Sequence, residues 1–139
     1  MAELEDKIYD RIEILSEEGN EYADNEQYEE AVSKFKQALD LVPSPKTDWE
    51  ASMWLNASMG DMYFMLSEYG KCSESMFDAL NCPDGYSNPF VHLRLGESLF
   101  ELGEKEKSKE YLLQAYMLEG KEIFETEDSK YFELIKPLI

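Results

Sequence analysis

Apolar residues recur three and four positions apart along nearly the whole chain, the spacing of helix faces rather than of strands. Leu4, Ile8, Ile12, Leu15, Gly19, Tyr22 and Ala23 form the first such stripe and predict one amphipathic helix over residues 3–23. Asp24-Asn25 breaks it. Ala31, Phe35 and Ala38 line a second helix, expected from about Glu26 to Leu41. Pro43-Ser44-Pro45 ends that helix, because proline cannot donate to the ladder and restricts the residue before it. Thr47 or Asp48 is the expected N-cap of a third helix that runs from Trp49 to Leu66. Tyr69-Gly70 is the expected turn into a fourth, faced by Cys72, Met76 and Ala79, and Asn81-Cys-Pro-Asp-Gly85 closes it. Asn88 as cap and Pro89 at the first helical position open a fifth. Gly103 turns the chain into a sixth, faced by Ser108, Leu112 and Ala115 and ended by Gly120. Lys121–Phe124 reads as a single helical turn. Asp128-Ser129 caps a last helix whose Tyr131, Phe132, Leu134, Ile135 and Leu138 would cover the remaining apolar face.

The helices fall into pairs with an internal echo. Gly19…Tyr22…Ala31…Phe35…Ala38 is answered by Met59-Gly60…Tyr63…Cys72…Met76…Ala79, and again by Leu95-Gly96…Leu99…Ser108…Leu112…Ala115. Each glycine marks a place where the partner helix comes close, rather than a cap. The glycines are 41 and 36 residues apart, and the longer interval is assigned to the Pro43–Thr47 connection and to extra helix before Trp54. This pattern resembles the tetratricopeptide repeat, a helical hairpin with a period of about 34 residues. The resemblance covers about residues 12–118. It implies an all-α solenoid of three helical hairpins, at about 12–45, 48–85 and 89–120, closed by a C-terminal capping helix within 121–139, as one domain over 1–139.

Length and composition agree with a single folded unit. The 139 residues suffice for a continuous core, and 43% apolar content argues against disorder. No apolar run approaches membrane-spanning length, and the acidic Met-Ala-Glu-Leu-Glu-Asp-Lys start is unlike a signal peptide, so a soluble cytoplasmic protein is expected. Cys72 and Cys82 fit no metal spacing and read as small buried hydrophobes. The net charge of −18 argues against nucleic acid as a partner, because phosphate binding needs a basic patch. Residues 1–30 hold twelve acids and two bases, so more than half of that charge lies at the N-terminal end.

Candidate chemistry is sparse. The single histidine, His92, has no nucleophile or second ligand near it in sequence, and phosphate-binding loops and metal motifs are missing. The reading is therefore non-enzymatic, without cofactor or metal. The resemblance implies instead that the first helix of each hairpin lines a concave groove. Its candidate partner-binding residues are Glu13, Ser16, Glu17, Asn20 and Asp24; Trp54, Ala57, Ser58, Asp61 and Met65; and Phe90, Leu93, Arg94, Glu97 and Glu101. Six of these are carboxylates against one cation, with Trp54, Met65 and Phe90 as apolar anchors. That balance suits a basic segment or basic domain.

A subset of the family grips the C-terminal carboxylate of heat-shock chaperones with lysines, asparagines and an arginine. Here Asn20 and Arg94 match, whereas Ser16, Ser58 and Phe90 stand where lysine, asparagine and lysine are expected, so chaperone-tail binding is not expected. The stretch from Tyr116 to Phe132 resembles the end of small stand-alone bacterial repeat proteins, some of them immunity proteins that neutralise a toxin domain. Three roles stay open: an immunity protein, a general adaptor or assembly scaffold, and a self-associating protein.

Overall fold

The computed structural model describes residues 5–139. Among these residues seven α-helices follow one another: α1 Asp6–Asp24, α2 Tyr28–Asp40, α3 Glu50–Met65, α4 Tyr69–Leu80, α5 Pro89–Glu101, α6 Lys105–Glu119 and α7 Ser129–Ile135. Among the described residues there is no strand. Each of the first six helices packs on its neighbour in sequence, and α3 also touches α5, which is the geometry of stacked hairpins. The expected all-α solenoid of three hairpins and a cap is the observed fold. Leu4, assigned to the first stripe, lies outside the described residues.

The repeated glycines work sterically. A Cβ on Gly19 would lie 2.7 Å from the Phe35 ring, on Gly60 2.8 Å from Met76, and on Gly96 2.7 Å from Leu112. Each hairpin thus drives one large side chain from its second helix against bare backbone on its first. The small residues around that knob, Ala31 and Ala38, Cys72 and Ala79, Ser108 and Ala115, are all buried. Ser108 also donates its hydroxyl to the Gly96 carbonyl at 2.6 Å. Burial pushes the Cys72 thiol up to about 12, so it stays an inert hydrophobe.

The turn inside each hairpin is one motif built three times. Glu26, Ser67 and Gly103 adopt positive φ, at 59°, 58° and 85°. The amide that follows each donates back to the carbonyl of Tyr22, Tyr63 or Leu99, closing a Schellman-type end. The second turn is therefore made at Ser67, and the expectation of a Tyr69-Gly70 turn is corrected: both residues lie in α4. The cap of α3 is corrected too. Residues Lys46–Asp48 form a 3-10 turn, and α3 starts after Trp49 without a side-chain cap. The long connection is held instead by Lys46, whose ammonium donates to the Leu39 and Val42 carbonyls, and by the Trp49 indole, which donates to the Pro43 carbonyl at 2.8 Å. Asn88 and Asp128 cap α5 and α7 as expected, through bonds of 2.9 Å to the Phe90 amide and 3.0 Å to the Lys130 amide.

The core runs in three linked clusters. Ile12, Leu15, Phe35 and Leu55 fill the first; Met76, Val91 and Leu95 fill the second. Leu93 and Leu112 with Phe124, Tyr131 and Ile135 fill the third, so the C-terminal segment supplies half of the last layer. Leu138 was expected to join it but is 55% exposed.

Candidate binding groove

The candidate positions recur at one register in the first helix of each hairpin. Glu13, Glu17, Asn20 and Asp24 follow a three-and-four spacing on α1; Trp54, Ser58, Asp61 and Met65 repeat it on α3; Phe90, Arg94, Glu97 and Glu101 repeat it on α5. The last two stripes meet, because Arg94 Nε donates to Asp61 Oδ1 at 2.8 Å.

The middle of the α5 stripe is closed to solvent, with Arg94 and Glu97 buried and Phe90 and Glu101 partly so. Arg94 is 6% exposed, and its guanidinium lies 4.4 Å from the Phe64 ring centroid and 5.1 Å from that of Phe90. Its Nη1 donates to Glu97 Oε1 at 2.7 Å and to a carboxylate oxygen of Glu127, which the C-terminal segment brings across the groove. Thr126 donates to the other oxygen of Glu127 at 3.0 Å. A few residues on, the Tyr131 hydroxyl and the Lys130 ammonium both reach Glu101 Oε2 at 2.8 Å. Burial disfavours the Arg94 cation, but Glu97, Asp61 and Glu127 together hold it charged well above its ordinary range.

Three carboxylates around one cation do not all ionise easily. Glu97 is fully buried, and its second oxygen accepts from no donor. Burial first, then a hydrogen bond to Glu127, pushes Glu97 up to about 9, with Arg94 pulling the other way. A proton on Glu97 gives that otherwise unpartnered oxygen a donor aimed at Glu127. Burial raises Glu127 as well, but its bonds with Glu97 and Arg94 leave it below the usual carboxylate range. Of the acids around Arg94, Glu97 is thus the one that burial inclines to keep its proton.

The other stripes differ. Glu13, Glu17, Asn20 and Asp24 are exposed, and among the described residues no ion pair engages their acids. Ser16 is buried and donates to the Ile12 carbonyl at 2.8 Å, so it serves the helix rather than the face. Ala57 and Leu93 are buried in the core. Trp54 is half-buried between the first two clusters, Ser58 is half-buried, and Met65 is 45% exposed at the end of α3. Beside α1, a hollow of about 300 Å³ at the α1–α2 turn includes Glu18, Glu21 and Tyr22, with Lys34 bridging to Glu18 at 3.4 Å. Sequence reasoning missed Phe64, Glu127, Lys130 and Tyr131. Phe64 sits three places past Asp61 and was legible as a groove neighbour; Glu127 belongs to no repeat and carried no signal. Among the described residues no group of His, Cys, Asp and Glu could hold a metal ion, and no helix is long and apolar enough to cross a membrane.

Comparisons with known proteins agree with this geometry. Family models for the tetratricopeptide repeat match residues 12–45 and 91–122, the first and third hairpins. No curated protein matches the chain in sequence. Among solved structures, the C-terminal tetratricopeptide-containing domain of a putative FK506-binding protein from Plasmodium falciparum superposes with a TM-score of 0.79 at 21% identity, over 94% of this chain and 90% of that one. The first such domain of Spaghetti (RPAP3), solved with the HSP90 peptide SRMEEVD, gives 0.75 at 20% identity over 93% and 94%. The type III secretion translocator chaperone SycD of Yersinia enterocolitica gives 0.72 at 17% over 93% and 92%. At these identities the likeness is one of fold. With the repeat matched in sequence at the first and third hairpins and in fold throughout, the chain is a tetratricopeptide repeat protein.

Proposed function

We propose that this protein is a non-catalytic protein-binding module whose open acidic face, on α1 and the adjoining part of α3, captures a basic segment or basic domain. The observation that carries this reading is the asymmetry of the groove. The one cation of the three stripes, Arg94, is buried among three acids, while Glu13, Glu17 and Asp24 stand exposed. The peptide SRMEEVD bound by the Spaghetti domain is acidic. An acidic tail would meet here an occupied arginine and a repelling α1. A cationic chain would instead be steered by the acids and anchored on Met65 and the exposed edge of Trp54. A basic toxin domain neutralised by an immunity protein and a basic segment held by an adaptor are both instances of this partner chemistry.

The test compares a labelled lysine- and arginine-rich peptide with SRMEEVD by fluorescence anisotropy. The basic peptide should bind, weakening steeply as salt is raised, and SRMEEVD should not. Charge reversal at Glu13, Glu17 and Asp24 should weaken the basic peptide at least tenfold. The control carries the same change in net charge at Glu29, Glu30 and Asp40, exposed acids of α2. Equal losses in the two variants would mean that net charge, not the α1 stripe, does the binding, and the proposal would fail.

A further inference from the structure

Among the described residues five of the cations lie over aromatic rings. Arg94 lies over Phe64 and Phe90, Lys71 over Tyr63, Lys105 and Lys130 over Phe100, and Lys121 over Phe132. One cluster of mutually packed rings has no such partner among the described residues. Tyr86 meets the His92 ring edge-on at 5.1 Å, His92 stacks on Tyr111 at 6.0 Å, and Phe77 abuts Tyr111 at 5.8 Å.

Tyr86, His92 and Tyr111 border a hollow of about 480 Å³ between the 81–88 connection and α6, separate from the groove. Its walls are held firmly. His92 is fully buried and donates from Nε2 to the Tyr86 carbonyl at 2.7 Å, a bond that fixes its tautomer because a carbonyl only accepts. Its Nδ1 is buried with no partner. Gln114 donates to the Tyr86 hydroxyl at 3.4 Å, yet Tyr86 remains 63% exposed. Glu110 is the one charged side chain in the lining, and no ion pair engages it among the described residues. The lysines beside it on α6 are turned to other acids, Lys107 to Glu104 and Lys109 to Glu106.

We propose that this hollow takes the cationic side chain of a lysine or arginine from a protein partner, as a second site independent of the acidic groove. Tyrosine faces attract a cation through their quadrupole, at about 0.5–1 kcal/mol each when exposed and more when desolvated. Glu110 supplies the counter-charge at the rim, and the apolar stem of a lysine would lie along Met117 and Leu113. No other charge in the lining opposes it.

The single histidine of the chain is the reporter. In ¹H–¹³C spectra of the full chain, Nα-acetyl-lysine methylamide should move the His92 ring signals saturably at about millimolar concentration, the affinity of one side chain alone. The norleucine analogue, which lacks the ammonium, should not. Tyr86→Leu should abolish the shift and Glu110→Gln should weaken it severalfold; both positions are exposed, so helicity should be unchanged, which circular dichroism verifies. The variant reversed at Glu13, Glu17 and Asp24 should respond like the wild type. The proposal is overturned if norleucine produces the same shift, if either substitution leaves the response intact, or if no saturable shift occurs.

Discussion

Arg94 and Glu97 show how far one side chain's role depends on what the fold places beside it. Read as sequence, Arg94 was the groove's cation; in the fold it joins α3, α5 and the C-terminal segment through Asp61, Glu97 and Glu127. Its replacement by methionine would leave buried acids without their counter-charge and should cost about 3–5 kcal/mol, read from urea unfolding. Glu97 gives a pH signature of definite sign. Its proton is released near 4.5 in the unfolded chain and near 9 in the folded one. Between those values the native state holds the extra proton, so this group's stabilisation is fully present below 4.5 and is lost as pH rises toward 9. The slope is at most about 1.4 kcal/mol per pH unit. Glu97→Gln keeps an acceptor for Arg94 and a donor for Glu127 without a titrating proton. Unfolding measured at pH 6, 7, 8 and 9 should show a flatter profile in this variant. Parallel profiles would show that Glu97 is already ionised at neutral pH.

At the scale of the helix pair, the glycines make a graded prediction. Alanine in a helix is favoured over glycine by about 1 kcal/mol, so any loss must come from the close approach. The Gly96 methyl would meet Leu112 at Cγ and Cδ2, both 2.7 Å away, and its backbone amide at 3.1 Å. The Gly60 methyl would meet chiefly the Met76 terminal methyl, at 2.8 Å, which an unbranched thioether can move aside. Gly96→Ala should therefore destabilise by about 1–3 kcal/mol, and Gly60→Ala should stay within about 1 kcal/mol of wild type. Equal melting temperatures for the two would count against the steric account.

The same elements show what the sequence could convey. Gly19, Gly60 and Gly96 and their knobs were legible because close packing sets the smallest residue opposite a large side chain at a repeated spacing. The stripe positions were legible because the hairpin fixes their register. The turn at Ser67 was not, since two of the three left-handed positions carry glutamate and serine, and a nearby Gly70 gave a stronger but misleading signal. The covering of Arg94 was not legible either, because Glu127 lies 33 residues away in a segment outside the repeat.

For the whole molecule, stacked repeats make stability a local quantity. Each hairpin draws on its own contacts and on those with its neighbours, so the two ends need not be equally stable. At the C-terminal end, Phe124, Tyr131 and Ile135 close the third cluster, and the bonds to Arg94 and Glu101 tie the segment down. At the N-terminal end, residues 1–30 carry twelve acids and two bases. Among the described residues, one ion pair, Lys34–Glu18, joins α1 to α2. Self-repulsion there opposes compaction, and salt screens it over a Debye length of about 10 Å at 0.1 M. Amide hydrogen exchange at low ionic strength should therefore be fastest in α1 and α2 and slowest in α5 and α6. Raising sodium chloride to about 0.5 M should slow exchange in α1 and α2 by a larger factor than in α5, whose Arg94 ion pairs are buried and little screened. A basic ligand on the α1 stripe should act in the same direction as salt, because it neutralises the same charges. Protection confined to α5 and α6 on adding the basic peptide would instead place that peptide's binding away from α1.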